Sequence, residues 1–520
     1  MKRDTTFVAK RKCGTLLLLM LAAASLHADP RCAGCHPKEV EGYLKSGMAR
    51  SLAPIGTRSA PPNGSFEHGP SKTSFFVRST SSMMTQGLTR RDESAQHTVT
   101  FVIGSGNHAL GYLIQIENDL FQSPLSYYTN RKIWDVAPGY ELDPHPDFSR
   151  PVTPECLTCH SGKPLPVFDR LNRYRPGVFA AYGISCERCH GDCDAHLKNP
   201  ARGSILNPAK LSGAARDSVC EQCHLTGDAR IPNPGKSMLD FRPGQTLEDV
   251  YTTYVAAEAS GENIKVVSHA EQLALSQCSR KSGGRLWCGT CHDPHEQPAQ
   301  PATYFRERCL SCHAATLEKA HAAAGRNCIA CHMRQLPAKD GGHTAFTDHR
   351  IASPSKADSP VTPPDTITAW REPEGSLRER NLALALVAIG LENESSAEVI
   401  RGYRMLNRLE SDFPRDPALL TSLGVVLLKG KQPAEALKRF EKVVELQPGY
   451  APYHLNIAKA LLGANHTQEA AQELEKALAL DALFQPAVEL LSEVYRGQGQ
   501  IEKANDLKTK YEQAMGISRH

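Results

Sequence analysis

The sequence predicts a multidomain protein: a loop-rich N-terminal domain with a small β-rich insert, followed by an all-α solenoid of paired helices. Three observations predict this. The pattern Cys-x-x-Cys-His occurs seven times, all before residue 333. More than a hundred residues separate its first and second copies, and part of that gap reads as short strands. Past Trp370 the composition shifts to Ala, Leu, Glu and Lys, and small residues recur every 34 positions.

The seven motifs carry the thiol pairs Cys32/Cys35, Cys156/Cys159, Cys186/Cys189, Cys220/Cys223, Cys288/Cys291, Cys309/Cys312 and Cys328/Cys331. Their closing imidazoles are His36, His160, His190, His224, His292, His313 and His332. This is the attachment signature of c-type haem. Two thiols add to the two vinyl groups on one porphyrin edge, and the next residue swings under the ring to bind iron. Zinc sites and thioredoxin-like centres share Cys-x-x-Cys but do not require the following His. Seven units also do not pair into four-ligand zinc sets. The reading is a multihaem cytochrome c domain with seven covalently attached haem c groups.

Of 17 Cys, 14 lie in the motifs, leaving Cys13, Cys193 and Cys278. Aromatic content is 6%, thin for 520 residues, and porphyrins would supply the missing apolar volume. The formal charge of +4 is near neutral, and haem propionates would make the holoprotein acidic. Nothing points to nucleic acid. Residues 1–28 read as a secretory signal: Lys2, Arg3, Lys10, Arg11 and Lys12, then apolar Leu16–Leu26, with cleavage near Ala28. The alternative is an uncleaved N-terminal anchor. Cys13 leaves with the signal. The expected location is periplasmic or otherwise exported, with no membrane span after cleavage, because no other stretch reaches 18 apolar residues.

After the first motif, Val40, Tyr43, Leu44 and Met48 predict a helix over 38–52. Residues 53–72 read as loop. The β-rich insert is placed at about 73–130. The other six motifs crowd into 156–332, with starts 30, 34, 68, 21 and 19 residues apart. Segments that short cannot build a separate core around each haem. The haems must therefore pack together, which electron hopping also requires, since tunnelling falls steeply with distance. The haem domain is placed at 29–352 and a Pro-rich linker at 353–370.

Residues 371–520 carry the repeat. Gly390, Gly424, Ala458 and Ser492 share one phase; Gly402, Ala436, Ala470 and Ala504 share another. Leu406, Phe440 and Leu474 follow, with Pro414 and Pro448 closing two units. This matches the tetratricopeptide pattern, in which small residues let paired helices approach closely. A fragment starting near Trp370 is expected to fold alone.

"YLKSGMARSL", "FVIGSGNHALGYL", "CERCHGDCDAH", "CGTCHDPH" and "HTAFTDHRI" look like recurring segments of exported multihaem proteins with C-terminal tetratricopeptide repeats. Residues 30–350 resemble multihaem cytochromes of the cytochrome c-552/4 type, a superfamily that includes pentahaem nitrite reductase and hydroxylamine oxidoreductase. The resemblance is specific for the class and unspecific for the reaction. Nitrite reductase has Lys in place of one motif His; here all seven motifs end in His.

A six-coordinate haem needs a second axial ligand. In the resembling proteins, His residues placed like His196 and His295 bind a neighbouring haem. The further candidates are His108, His343, His349, His269, His68 and His321, while His97 and His145 read as structural or solvated. Related proteins often have Ser-x-His where this chain has Ser46-Gly47-Met48. Met48 is therefore a thioether candidate, or else a core residue on its helical stripe. Cys193 and Cys278 either pair or stay as buried thiols.

The expected function is electron transfer along the haems between redox partner proteins, with the repeats docking a protein partner. The alternative is a multihaem oxidoreductase acting on a small nitrogen or sulfur compound at one open-coordination haem. It names no further catalytic residue. A mainly structural role is disfavoured, because seven cofactors are excessive for a scaffold.

Overall fold

The computed structural model describes residues 30–201, 203–256, 264–320, 327–351 and 367–520. The signal segment 1–28 with Cys13, residues 353–366 of the linker, and His321 lie outside the described residues.

The first half is organised by an antiparallel sheet larger than the expected insert. Its strands are β1 (Leu52–Pro54), β2 (Gly64–His68), β3 (Thr73–Ser79), β4 (Met84–Arg90), β5 (Glu93–Ile103), β6 (Ala109–Ile116), β7 (Asp119–Gln122), β8 (Leu125–Tyr128) and β9 (Ile133–Val136). They run in the order β2-β3-β4-β5-β6-β8-β9, with β7 beside β6 and β1 beside β5. Side chains alternate as a pleat demands: Thr73, Phe75 and Val77 are buried while Ser74 is exposed. Phe75, Met84, Leu88, Val102 and Tyr112 form the core with Trp134. The first and last strands meet at Gly64, where any Cβ would strike Trp134, and the Trp134 indole donates to the Pro62 carbonyl at 2.8 Å.

The sheet therefore spans Leu52 to Val136, not 73–130. Strands β1 and β2 sit in Pro- and Gly-rich sequence with no periodic signal, and pairing with β5 and β3 is what makes them strands. The helix expected over 38–52 stops at Leu44. Leu44 is exposed while Ser46, Ala49 and Leu52 are buried, and the chain leaves the helical path to place Leu52 opposite Ile103.

The other six motifs follow the sheet among small hairpins, four on short helical turns, the fourth at the end of the helix Gly213–His224 and the sixth within the helix Pro301–Ala320. One hairpin pairs β10 (Lys163–Pro166) with β11 (Tyr174–Ala181), and another pairs β12 (Ala229–Pro232) with β13 (Tyr251–Ala256). A third joins β14 (Gln335–Pro337) to β15 (Ala345–Thr347).

Eight helices form the C-terminal part: α1 (Leu377–Glu392), α2 (Ser396–Leu409), α3 (Pro417–Lys429), α4 (Pro433–Leu446), α5 (Ala451–Gly463), α6 (Thr467–Leu480), α7 (Gln485–Gly497) and α8 (Ile501–Ala514). The 34-residue phase is a packing requirement. A Cβ on Gly424 would lie 2.3 Å from the Phe440 ring, and one on Gly402 would lie 2.7 Å from the Ala383 carbonyl. Ala436, Ala458, Ala470 and Ala504 are fully buried at the equivalent positions.

The two halves are not joined by a simple tether. Ile367–Ala369, the end of the expected linker, forms β16 and pairs with β13. Buried Arg380 of α1 pairs with Asp416 and donates to the Pro232 carbonyl at 2.6 Å. Asn381 donates to Asn233 and Thr252, each at 3.0 Å. At the other end, Ile517–Arg519 forms β17 and adds to the edge of β5. The helical part, expected to fold alone, shares a sheet strand at each end with the first half. The reason is burial, since Ile367 closes a core with Ile231 and Tyr254. Among the described residues, no helix is long and apolar enough to cross a membrane.

Candidate functional site

The motifs converge on one cavity of about 3130 Å³, and all seven contribute to its wall. Five are short helical turns, while the fourth ends the helix Gly213–His224 and the sixth lies within the helix Pro301–Ala320. In the first, third and fifth, the His amide donates to the carbonyl of the first Cys at 2.8, 2.9 and 2.9 Å. Thiols three apart on such a turn share a face, so both can reach one porphyrin edge. No Cys among the described residues is in a disulfide, so Cys193 and Cys278 do not pair. Cys193 is buried and donates to Glu187 at 3.4 Å; Cys278 is half-buried.

The variable residues inside three motifs lock those motifs together. Arg188 of the third donates to the Thr158 carbonyl of the second at 2.9 Å. Gln222 of the fourth donates to the Arg188 carbonyl at 3.0 Å. The Cys159 thiol lies 3.8 Å from the Gln222 carbonyl, and the Cys223 thiol 3.8 Å from the Thr158 carbonyl. Tyr43 closes this junction, its hydroxyl donating to the Ile184 carbonyl at 2.7 Å; burial raises its pKa far above that of a free phenol. Sequence reasoning missed these residues, although their polarity inside the motifs was a readable signal.

Across the cavity, imidazoles stand in pairs. His36 faces His196 with ring centroids 6.4 Å apart and planes 28° from parallel. His190 faces His295 at 5.8 Å and 21°, and His292 faces His349 at 6.2 Å and 30°. His224 lies 5.2 Å from His269, edge to face. Thus His196 and His295 each stand across from the His of a motif other than the one beside them in sequence. Two imidazoles binding one metal from opposite sides at about 2 Å each would place their centroids about 6 Å apart. In three of these rings the other nitrogen is anchored as metal-ligating His requires, whereas His269 Nδ1 is buried with no hydrogen-bond partner. His190 Nδ1 is 2.9 Å from the Leu206 carbonyl, His349 Nδ1 is 2.9 Å from the Thr347 carbonyl, and His196 Nδ1 is 2.7 Å from Ser204 Oγ. Burial, helped by four neighbouring imidazoles, pulls His269 down to about 3, which keeps it neutral. A neutral imidazole is the metal-binding form. These residues fit haem.

Other candidates stand elsewhere. His68 has both ring nitrogens engaged, by Ser71 Oγ at 2.8 Å and the Glu141 carbonyl at 3.0 Å, within the sheet. His343 is likewise held by Asp135 at 2.7 Å and Arg131 at 3.2 Å. Neither has a nitrogen left for iron; both were drawn into the β-rich part by partners far away in sequence. His108 packs on Phe346 at 4.2 Å, with a buried Nδ1 that has no hydrogen-bond partner. Met48, expected within a helix, lies past the observed helix, which ends at Leu44, and lines the cavity. Among the described residues, no second imidazole pairs with His160 or His313 as in those four pairs. Among the same residues, no group of three or more His, Cys, Asp or Glu is disposed to hold a bare metal ion.

The tetratricopeptide repeat family matches residues 427–488. The C-terminal region is a tetratricopeptide-like helical solenoid. A search of curated proteins returns no match. Among solved structures, "Crystal structure of MamA" is 22% identical over 24% of this chain and 74% of that chain, with a TM-score of 0.23. "MamA MSR-1 C2" is 23% identical over 26% of this chain and 75% of that one, TM-score 0.23. A Thermobaculum terrenum O-GlcNAc transferase mutant is 24% identical over 23% of each chain, TM-score 0.21. These likenesses carry no argument about function.

Proposed function

We propose that the chain is an exported, periplasmic-type multihaem cytochrome c of the cytochrome c-552/4 kind, passing electrons along seven covalently held haems between redox partner proteins. The observation that carries the reading is the set of facing imidazoles over a cavity walled by all seven motifs. The motif Cys would hold the porphyrin edges. His36 with His196, His190 with His295, His224 with His269, and His292 with His349 would supply the imidazoles that hold haem iron. Haem supplies one-electron chemistry when bound. The protein's part is to fix spacing, exclude water and anchor the imidazoles. The repeats would dock a protein partner, as such solenoids do. The test is the intact mass of the exported protein: seven haems and no residues before about Ala28 are expected. A mass with free motif thiols or with zinc would end the reading.

A second reading, an oxidoreductase acting on a small nitrogen or sulfur compound, is favoured by the second motif. His160 lines the cavity without a facing imidazole among the described residues. Electron paramagnetic resonance decides between the two. A high-spin ferric signal that shifts on adding nitrite or hydroxylamine would place the enzyme first.

A further inference from the structure

Glu221 lies between Cys220 and Cys223 of the fourth motif and is only 5% exposed. A carboxylate there is costly unless compensated. Its compensation comes from 150 positions away. Arg371 NH2 donates to Glu221 Oε2 at 2.5 Å and Arg371 NH1 to Oε1 at 3.2 Å. The same guanidinium donates to Glu248 at 3.0 Å and to Ser218 Oγ at 3.0 Å. The Trp370 indole donates to Glu221 Oε1 at 3.0 Å. One cation thus stands between two carboxylates in a rigid fork, a geometry that Arg holds and Lys does not.

We infer that Arg371 is a tuning residue for the redox group held at Cys220 and Cys223, setting its reduction potential by compensating the Glu221 carboxylate. The inference rests on the haem reading of the motifs. Adding an electron to a group is opposed by negative charge nearby, and strongly so where water is excluded. With Arg371 present the cluster of two carboxylates and one guanidinium carries one net negative charge; without it, two. Charge and hydrogen bonding around a haem are established levers on its potential. Placement makes the lever matter. The fourth motif touches the second through Cys223 and the third through Gln222, so its potential bears on electron flow into both. Arg371 itself arrives just after β16, at the start of the helical part.

The test is a spectroelectrochemical titration of the full holoprotein at neutral pH, after haem counting by mass. Arg371→Gln should lower one potential and Glu221→Gln should raise the same one. Arg371→Lys should leave it near the wild-type value. The double variant R371Q/E221Q should return toward wild type, because it restores one net negative charge. A purely structural role would alter folding or haem content without this pattern. If R371Q fails to fold by circular dichroism, E221Q and R371K carry the test alone. A protein without haem overturns both the inference and the reading beneath it. Seven haems with every potential unmoved in E221Q, or a double variant that stays at the R371Q value instead of returning toward wild type, overturn the tuning role only.

Discussion

The rings of His190 and His295 stand 5.8 Å apart and 21° from parallel, across a gap of 105 residues in sequence. His190 is held by the Leu206 carbonyl through Nδ1, so the opposite nitrogen is the one left for a metal. Such an arrangement costs conformational entropy and desolvation, and neither ring donates to the other. The metal proposed above, held between them, would account for it.

This pair gives the first prediction. His295→Ala should leave the haem count at seven while turning one low-spin haem high-spin, read by electron paramagnetic resonance. The motif thiols and His190 are untouched, so attachment should survive. An unchanged low-spin spectrum would mean that His295 is not the ligand facing His190.

Met48 lines the cavity, and its surroundings include Gly183, whose missing Cβ leaves room for the Met48 and Ala49 backbone. If the thioether binds iron, Met48→His should lower one potential, because a thioether raises the potential relative to a second imidazole. Potentiometry in which all values stay put would return Met48 to a packing role.

Arg380 and Asp416 form the pair on which the seam between the halves depends. Both are buried, at 2.6 and 3.0 Å, and Asp416 also caps α3 by accepting from the Ala418 and Leu419 amides. Removing one partner leaves an uncompensated buried charge. Arg380→Leu should therefore cost about 3–5 kcal/mol in a denaturant melt. R380L/D416L should cost less than the sum of the single changes, since it removes both charges. Strict additivity would show that the two residues do not act as a unit.

The C-terminal strand gives the fourth prediction. Ile517, Ser518 and Arg519 pair with Ala95, Ser94 and Glu93, and the His520 amide donates to the Asp92 carbonyl at 2.7 Å. Deleting residues 517–520 should speed hydrogen exchange along β5 at these positions and leave haem attachment intact. Exchange as slow as in the full chain would mean that β5 needs no cover there.

The seam also changes the expectation for a fragment starting at Trp370. It would lose the partners of Asn381 and the core around Ile367. Circular dichroism should show its first helix pair destabilised relative to the same helices in the full chain. A fragment melting like the full helical part would restore the independent-domain view.

Local chemistry was legible before any coordinates. The Cys-x-x-Cys-His motifs announce themselves because their spacing is set within five residues, as in Cys186–His190. The helical solenoid was legible because close packing of helix pairs demands small residues at a fixed period, as at Gly402 and Ala436. Contacts between distant segments were not legible. Whether an imidazole ends on the cavity, like His349, or against the sheet, like His343, depends on partners such as Asp135 that no local pattern names. Nor could spacing show that Arg371 completes the charge balance at Glu221, or that the final residues extend β5. Sequence by itself determined which groups this chain carries and how its repeats pack, because those are short-range constraints. The tertiary structure decided which groups meet, because a buried charge, a sheet edge or an unpaired imidazole takes whatever partner the folded chain brings to it.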